Sequence, residues 1–496
     1  MYMPRSLSDA AALTPERLAV IDGDTGEHLS FRELDLRSNC LAHYLHGLGL
    51  KPGDRLAMLM DSQLQCFVAC WAALHAGLCL VPLNLHWNTA EMAFVVEDSG
   101  AKALLAAWAL RGTADDLAPL VPSCPLRLML DGSLPGWTSF NPVTADCPAA
   151  ALTAHCLGSI LLYSAGTTGR PKRATPTARR LTGIAMSEPH PLFNLCGYDA
   201  DAIHLSTSPL YHPASLLNAL RVQSNGGTVV FMPAFDALHA LKLIERYRIT
   251  HSQWVPSMFV RLLKLTDSER RRHDLSSLRL ANHTAAPCSI DVKRQMIDWW
   301  GPILLEYYGA CETGALTALD SAQWLAHPGS VGVALPGISL RICDEDGWAL
   351  PAGIPGIIQA RRDPRQAWQT VEDIGYLDQE GYLYVNDRAA FTLVEAGRRM
   401  YSLEIEHALV LHDSVVDAAV IGTAMNSHGK GWVAVVEPAP GVVVSDLLCR
   451  ELEAFLAGKL SAHLRPQALL FIKHLPRLPT GKLCKRRLLA WYEARH

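Results

Sequence analysis

The chain has 496 residues, of which 49% are hydrophobic and 19% are charged, and its formal net charge is -4. This length exceeds what one hydrophobic core supports, so two or more structural units are expected. The small net charge argues against a broad basic surface, and no nucleic acid is expected as a partner.

The 13 cysteines are scattered without a paired Cys-x-x-Cys arrangement. A chain of this length does not need disulfides for stability, so we expect reduced cysteines and a cytoplasmic protein. The first 20 residues contain no continuous apolar segment, and no secretory signal is predicted. The apolar stretch Phe67–Leu83 is interrupted by His75 and Gly77 and is shorter than the ~20 residues of a membrane span. It is interpreted as a core helix that ends near Gly77 and is followed by a buried strand.

Residues 31–107 alternate between helical and strand patterns. Helical periodicity is found in 31–50, in the Phe67 stretch and in 90–100, while short apolar runs occupy 54–60, 78–83 and 102–107. This alternation is typical of parallel strands joined by crossover helices, and it predicts an α/β fold. Residues Ala107–Leu157 are rich in Pro, Gly and Asp, and they are predicted to be a variable connection.

The stretch Ile160–Ala174, ILLYSAGTTGRPKRA, joins a short apolar run to a loop of small, hydroxylated and glycine residues. Glycines let backbone amides approach a phosphate, hydroxyl groups add donors, and a lysine adds positive charge. The spacing does not fit the P-loop, and composition alone also fits an ordinary surface loop. The candidate phosphate-binding residues are Ser164, Gly166, Thr167, Thr168, Gly169 and Lys172.

This stretch resembles the phosphate loop of the adenylate-forming superfamily, which includes acyl-CoA synthetases, luciferases and the adenylation domains of peptide synthetases. Arg173 stands where that family usually has glycine. The resemblance covers essentially the whole chain. It implies a large N-terminal domain of β-sheets flanked by helices, residues 1–386, and a small mobile α+β C-terminal domain, residues 387–496.

Three segments resemble the family's acyl and adenine pockets: Pro209–His212, Trp254–Met258 and the small-residue turn in Leu278–Pro287. Thr284 replaces a glycine that is common in the family. A structural role in the core is the alternative for His212, which is also a candidate catalytic residue. The resemblance implies an acyl pocket formed by Tyr211, His212, Trp254, Ser257 and Thr284, and an adenine contact formed by Ala285, Ala286 and Pro287.

The segment Ile303–Ala315, ILLEYYGACETGA, is similar to the family's Tyr-Gly-x-Thr-Glu motif. The similarity implies that Tyr308 and Gly309 lie beside adenine, that Cys311 lies near the α-phosphate and that Glu312 binds Mg2+. A carboxylate suits Mg2+ because this ion prefers oxygen ligands. Cys311 replaces threonine and is a weaker hydrogen-bond donor.

The segment Trp368–Arg388 resembles the family's Thr-Gly-Asp stretch and the hairpin that follows it. Asp373 falls at the position whose carboxylate accepts both ribose hydroxyls, while Val371 and Glu372 replace the Thr-Gly pair. Asp387 is implied to be the hinge of the small domain, with Arg388 near ribose or phosphate. A surface ion pair is the alternative for these last two residues.

Near the C-terminus, Leu478–Lys482 resembles the family's catalytic-lysine motif. The resemblance implies that Lys482 neutralises charge while a carboxylate attacks phosphorus.

These resemblances imply that ATP activates a carboxylic acid to an acyl-AMP with release of pyrophosphate, and that CoA then accepts the acyl group. The implied cofactors are ATP, Mg2+ and CoA. Residues 390–399 depart from the family pattern, so a carrier-protein pantetheine or a nitrogen nucleophile is the alternative acceptor. A third hypothesis is a weakly active protein that binds a nucleotide or an acyl group. It rests on the departures from the family pattern at Arg173, Thr284 and Cys311. The sequence also leaves open whether the protein forms a homodimer.

Overall fold

The computed structural model describes residues 6–495 except 142–147, 149, 151, 153–157, 165–170, 174–183, 186–190, 311–312, 389–392, 396–397, 424–430, 462–463 and 478–482. The chain divides into two compact units. The first comprises Met1–Gln253, Asp274–Leu280 and Cys311–Gly314, and the second comprises Trp254–His273, Ala281–Ala310 and Ala315–His496.

The first unit contains eight of the described helices and fourteen of the described strands. The helices are α1 (Leu7–Leu13), α2 (Phe31–Gly47), α3 (Leu64–His75), α4 (Thr89–Ser99), α5 (Arg111–Leu117), α6 (Pro191–Cys196), α7 (Pro213–Ser224) and α8 (Ala237–Tyr247). The strands are β1 (Leu18–Asp22), β2 (His28–Ser30), β3 (Arg55–Leu59), β4 (Cys79–Pro82), β5 (Ala103–Ala107), β6 (Leu126–Leu130), β7 (Thr138–Phe140), β8 (Ser159–Ile160), β9 (Tyr163–Ser164), β10 (Lys172–Arg173), β11 (Ile184–Ala185), β12 (Ile203–Ser206), β13 (Thr228–Phe231) and β14 (His251–Trp254).

The described residues of the second unit form the remaining elements. Its helices are α9 (Pro256–Leu263), α10 (Asp267–Arg271), α11 (Ile290–Trp300), α12 (Ser321–Ala326), α13 (Ser402–Leu409), α14 (Asp446–Lys459) and α15 (Lys485–Glu493). Its strands are β15 (Leu280–His283), β16 (Leu304–Ala310), β17 (Gly314–Asp320), β18 (Val333–Ala334), β19 (Ser339–Cys343), β20 (Gly356–Arg361), β21 (Gln369–Leu377), β22 (Leu383–Arg388), β23 (Leu393–Glu395), β24 (Arg398–Met400), β25 (Val415–Thr423), β26 (Gly431–Pro438) and β27 (Ala468–Phe471).

The first unit is built on parallel strands, as the alternating sequence pattern predicts. One sheet has the order β11-β8-β4-β3-β5-β6-β7, and its pairs from β8 to β7 are parallel. A second run of strands, β14-β12-β13-β1, is also parallel and ends in the antiparallel strand β2. Capping boxes at Ser30 and Asn88 start the helices α2 and α4, because each side chain accepts a hydrogen bond from the amide of a glutamate three residues on.

The structure corrects one sequence prediction and confirms another. The predicted connection over residues 107–157 is not irregular throughout, because it contains α5 and the parallel strands β6 and β7. The predicted core helix in the Phe67 stretch is confirmed as α3, whose Trp71 is fully buried and donates to Gln223 Oε1 at 2.7 Å. In the part of the chain that the structure describes, no helix is both long and apolar enough to cross a membrane.

The last part of the second unit is a three-stranded sheet that is covered on both faces. Strands β25 and β26 pair antiparallel, and β27 runs parallel to β26. One face buries Ile405 of α13 and Leu452 of α14, while the other buries Leu488 of α15. This segment therefore has its own hydrophobic cores, which fits the predicted small α+β domain.

A buried ion pair joins α11 to β16 in the second unit. Lys293 Nζ lies 2.6 Å from Glu306 Oε2, and Lys293 and Glu306 are 0% and 5% exposed. Lys293 also lies 4.9 Å from the ring centroid of Trp324, and His283 Nε2 is 3.7 Å from the same glutamate oxygen. Burial lowers the pKa of His283 well below its usual value, so its ring is neutral beside this pair.

Removing one partner of this pair should be far more damaging than removing both. Lys293→Met leaves the Glu306 carboxylate buried without its cation, and should lower the free energy of unfolding by about 3–5 kcal/mol. The double variant Lys293→Met/Glu306→Leu removes both charges and should lose much less stability. Urea unfolding followed by fluorescence measures both variants. Equal losses in the single and double variants would contradict this account.

Candidate active site

The predicted phosphate loop is bounded by a short antiparallel hairpin in the first unit. Strand β9 pairs with β10 so that Ser164 is opposite Lys172 and Tyr163 is opposite Arg173. The apolar run before the loop is split into β8 and β9, rather than forming one continuous strand over Ile160–Tyr163. Of the predicted phosphate ligands, Gly166, Thr167, Thr168 and Gly169 lie outside the described residues.

A cluster of three side chains holds the base of this hairpin. Tyr163 donates from its hydroxyl to Asp98 Oδ2 at 2.5 Å. Arg173 donates to the same oxygen from Nε at 3.1 Å and from Nη2 at 2.9 Å, and its Nη2 also donates to the Asp98 carbonyl oxygen. Sequence reasoning noted Arg173 only as a departure from the family pattern, and it missed Asp98 and Tyr163. The signal available was an acidic residue in the last turn of α4, close in the fold to an unexplained arginine.

Two predicted acyl-pocket residues of the first unit lie between β12 and α7. His212 is the residue before the first turn of α7, and its ring centroid is 4.7 Å from that of Tyr211. The Tyr211 ring lies 6.1 Å from that of His86. Burial, with a smaller effect of His86, lowers the pKa of His212 to about 3. His212 is therefore neutral at physiological pH, and within the described residues its Nε2 atom has no hydrogen-bond partner.

The remaining predicted pocket residues belong to the second unit. Thr284 Oγ1 donates to the carbonyl of Tyr307 at 2.8 Å, which ties the end of β15 to β16. Ala285 adopts φ +78°, Ala286 is partly exposed and Pro287 is exposed. Trp254 is fully buried against Phe259 and Trp300, whereas Ser257 is partly exposed. The turn after β15 is therefore partly open to solvent, and the substrate roles of these residues stay predictions.

The two predicted adenosine-binding motifs of the second unit meet through one hydrogen bond. Tyr308 donates from its hydroxyl to Asp373 Oδ2 at 2.6 Å, although the two residues are 65 positions apart. Tyr308 lies on β16, and Asp373 lies on β21 opposite Arg388 of β22. The contact brings an aromatic ring and a carboxylate together, which are the groups that the motifs imply for a base and a ribose. Gly309 follows Tyr308 on the same strand.

The backbone next to Asp373 is in an unfavourable conformation. Glu372 has φ +62°, in the left-handed region that residues with a Cβ atom rarely adopt. This is the position at which the family usually has glycine. The exposed Glu372 side chain therefore carries a conformational cost directly beside the candidate ribose carboxylate.

The predicted hinge residue has a definite structural role. Asp387 is 3% exposed, and its Oδ2 atom accepts hydrogen bonds from Ser402 N and Ser402 Oγ, both at 2.8 Å. These bonds connect the end of β22 to the first turn of α13. For Arg388 the structure describes the backbone only, and the predicted residues Cys311, Glu312 and Lys482 lie outside the described residues. Among the residues that the structure does describe, no group of three His, Cys, Asp or Glu side chains is placed to hold a metal ion.

Replacing Glu372 by glycine should stabilise the protein. Glycine populates positive φ without a Cβ clash, so Glu372→Gly should raise the free energy of unfolding by about 0.5–1 kcal/mol after the greater flexibility of the unfolded chain is counted. Glu380→Gly is the matched control, because Glu380 is also exposed but its φ is not positive. Urea unfolding of both variants tests this, and a loss of stability in Glu372→Gly would show that the strain argument is wrong.

Buried neutral histidines should make the protein less stable in mild acid. Burial, with a smaller effect of His251, lowers the pKa of His204 to about 3 from an ordinary 6.5. Below pH 6.5 the unfolded histidine takes up a proton while the folded one does not, so stability falls as the pH falls toward 3. His204→Phe should flatten this dependence by up to about 1.4 kcal/mol per pH unit. Unfolding at pH 7, 6, 5 and 4 measures the slope, and an unchanged slope would count against a neutral His204.

The chain matches a family model for AMP-binding enzymes over residues 7–363 and one for the AMP-binding enzyme C-terminal domain over residues 404–482. It is 30% identical to feruloyl-CoA synthase from an Amycolatopsis species, covering 96% of each chain. It is 28% identical to the fatty acid–[acyl-carrier-protein] ligase ScoC of Streptomyces coeruleorubidus, covering 93% of this chain and 91% of the relative.

A similar solved structure is the crystal structure of ATP-bound MatB from Rhodopseudomonas palustris. The TM-score is 0.77 at 26% identity, and the match covers 99% of each chain. The match confirms the predicted α/β class with a large N-terminal domain followed by a C-terminal one.

Proposed function

Because the chain belongs to the family of AMP-binding enzymes, we propose that it activates a carboxylic acid with ATP and passes the acyl group to the thiol of CoA. The observation that carries this proposal is the hydrogen bond between Tyr308 and Asp373. It brings together two motifs that are distant in sequence and that the family uses for adenosine. The named activity of the feruloyl-CoA synthase relative supports CoA as the acceptor.

In the first half-reaction, a carboxylate oxygen of the acid attacks the α-phosphorus of ATP. The bond from this phosphorus to the bridging oxygen breaks, and pyrophosphate leaves. Lys482 neutralises the charge that gathers on the α-phosphate, and the residues around Lys172 bind the departing phosphates. Asp373 holds the ribose. Mg2+ bound by Glu312 would neutralise phosphate charge, and a single carboxylate beside phosphate oxygens is a usual environment for this ion.

In the second half-reaction, the sulfur of CoA attacks the acyl carbonyl carbon. The carbon–oxygen bond to AMP breaks, and the thiol proton passes to solvent. His212 takes part as a neutral hydrogen-bonding group, since its pKa of about 3 excludes a protonated ring at neutral pH. The small residues of the Thr284 turn allow close approach of a flat base.

The two steps use different placements of the small domain, residues 387–496. Asp387 is the proposed hinge between these placements. Its carboxylate holds the first residue of α13 through two hydrogen bonds. Lys264, which follows α9, donates to the carbonyl oxygens of His412 and Val415 on the other side of the hinge. Such polar contacts can be exchanged without exposing a hydrophobic core, which suits domain alternation.

A carrier-protein pantetheine is the second candidate acceptor. The relative from Streptomyces coeruleorubidus is named as an acyl-carrier-protein ligase and matches 93% of this chain. Residues 390–399 also depart from the family pattern in the loop that serves the second half-reaction. Both acceptors present the same pantetheine thiol, so the first half-reaction is identical in the two cases.

The test of the function is release of AMP and pyrophosphate from ATP across a panel of carboxylic acids, with CoA, with a phosphopantetheinylated carrier protein, and with neither. Pyrophosphate that depends on an acid, and a thioester that depends on CoA, would support the proposal. An adenylate that reacts with the carrier protein and ignores CoA would move the proposal to the second candidate. No pyrophosphate with any acid would contradict an activating enzyme.

Lys482→Ala should abolish adenylate formation while leaving ATP binding intact. Loss of a positive charge at a phosphoryl-transfer site lowers the rate by at least about 10²-fold when the group acts on the transition state. Lys473→Ala removes an exposed lysine nearby in sequence and should have no effect. Pyrophosphate release and calorimetric binding of ATP measure the two properties separately. Unchanged turnover in Lys482→Ala would show that the assigned mechanism is wrong.

A further inference from the structure

Arg173 is the residue in the phosphate-loop motif that the proposed function does not use. Its side chain makes four hydrogen bonds at the base of the β9–β10 hairpin, three to Asp98 and one from Nε to the hydroxyl of Tyr163 at 3.2 Å. Tyr163 itself donates to Asp98. The three side chains therefore form a closed network rather than a single ion pair.

The position of Asp98 explains why a cation is needed there. Asp98 lies in the last turn of α4, where a carboxylate is unfavourable because the carbonyl ends of the helix carry partial negative charge. The last carbonyls of a helix also lack partners within the helix. Arg173 compensates the negative charge by donating to the Asp98 carboxylate. It also gives the Asp98 backbone carbonyl a hydrogen-bond donor.

The network acts on both ends of the loop at once. Tyr163 and Arg173 are directly opposite each other in the hairpin, so their side chains lie on one face of it. Tyr163 comes just before the loop, and Arg173 comes just after Lys172. Both side chains reach the same carboxylate oxygen. The network thus fastens both ends of the loop to the end of α4.

We propose that Arg173 is a positioning residue for the β- and γ-phosphates of ATP. It fixes the β9–β10 hairpin on α4 and so holds Lys172, the neighbouring residue on β10, in place for the phosphates. An isolated pair with 30% and 36% exposed side chains would contribute little to stability, but several bonds that share one acceptor define a single geometry. The inference rests on the proposed function, because it assumes that this loop binds phosphates.

The test compares ATP, pyrophosphate and AMP as ligands of the full-length protein by calorimetry in the presence of Mg2+. Arg173→Gln should weaken ATP and pyrophosphate binding about tenfold, since both use the loop, and should leave AMP binding within twofold. Arg173→Lys keeps the charge and should recover part of the loss. Tyr163→Phe removes one bond of the network and should weaken ATP binding about threefold.

Arg17→Gln is the matched control. Arg17 also donates to a backbone carbonyl, that of Ala200, and to a carboxylate, that of Asp201, but it is not near the hairpin in sequence. Its replacement should leave the affinity for all three ligands unchanged. Thermal melting of each variant, with Arg173→Lys and Tyr163→Phe as the mildest changes, separates folding from binding.

Two results would overturn the inference. One is that Arg173→Gln binds ATP as tightly as the wild type does. The other is that it loses ATP and AMP affinity to the same extent, which is the pattern of a merely structural residue. Failure of the proposed function gives a different result, because the wild-type protein would then bind neither ATP nor pyrophosphate.

Discussion

The hydrogen bond from Tyr308 to Asp373 is the contact on which the candidate nucleotide site depends. It joins β16 and β21, two strands of the second unit that belong to different sheets. A carboxylate that must accept ribose hydroxyls has to be held in one orientation, and a short hydrogen bond from a neighbouring hydroxyl does this. Two other contacts hold β16 in place: the Lys293–Glu306 pair joins it to α11, and Thr284 donates to the carbonyl oxygen of Tyr307, the residue before Tyr308.

The sequence predicted the elements whose periodicity is strong. The helical stretches predicted in 31–50 and 90–100 are found as α2 and α4, and the parallel strands of the first unit follow from the alternation of apolar and amphipathic segments. The short elements were missed: α5 has seven residues and β7 has three, which is too few for a period to emerge.

The site was predictable only where a motif fixes it. The motif implied that Tyr308 and Asp373 bind one nucleotide, and the structure brings these two residues together. Three-dimensional contacts that no motif contains were not predictable, because their partners are far apart in sequence. Asp98 and Arg173 are 75 residues apart, and neither has a local pattern that points to the other. The left-handed backbone conformation at Glu372 could not be predicted, because positive φ is expected at glycine and not at glutamate.

The three-stranded sheet at the end of the second unit has a consequence for the energetics of catalysis. Its apolar residues are already covered on both faces by α13, α14 and α15. The apolar surface buried in these two cores therefore stays buried when the segment moves as a body, which avoids the largest free-energy cost of exposing it to water. The hydrogen bonds that Lys264 makes with the carbonyls of His412 and Val415 are contacts that water can replace during such a movement. A ligand shifts such a body between two placements only by the difference in its affinity for them, so the hydrogen bonds that each placement keeps set how much binding energy the shift needs.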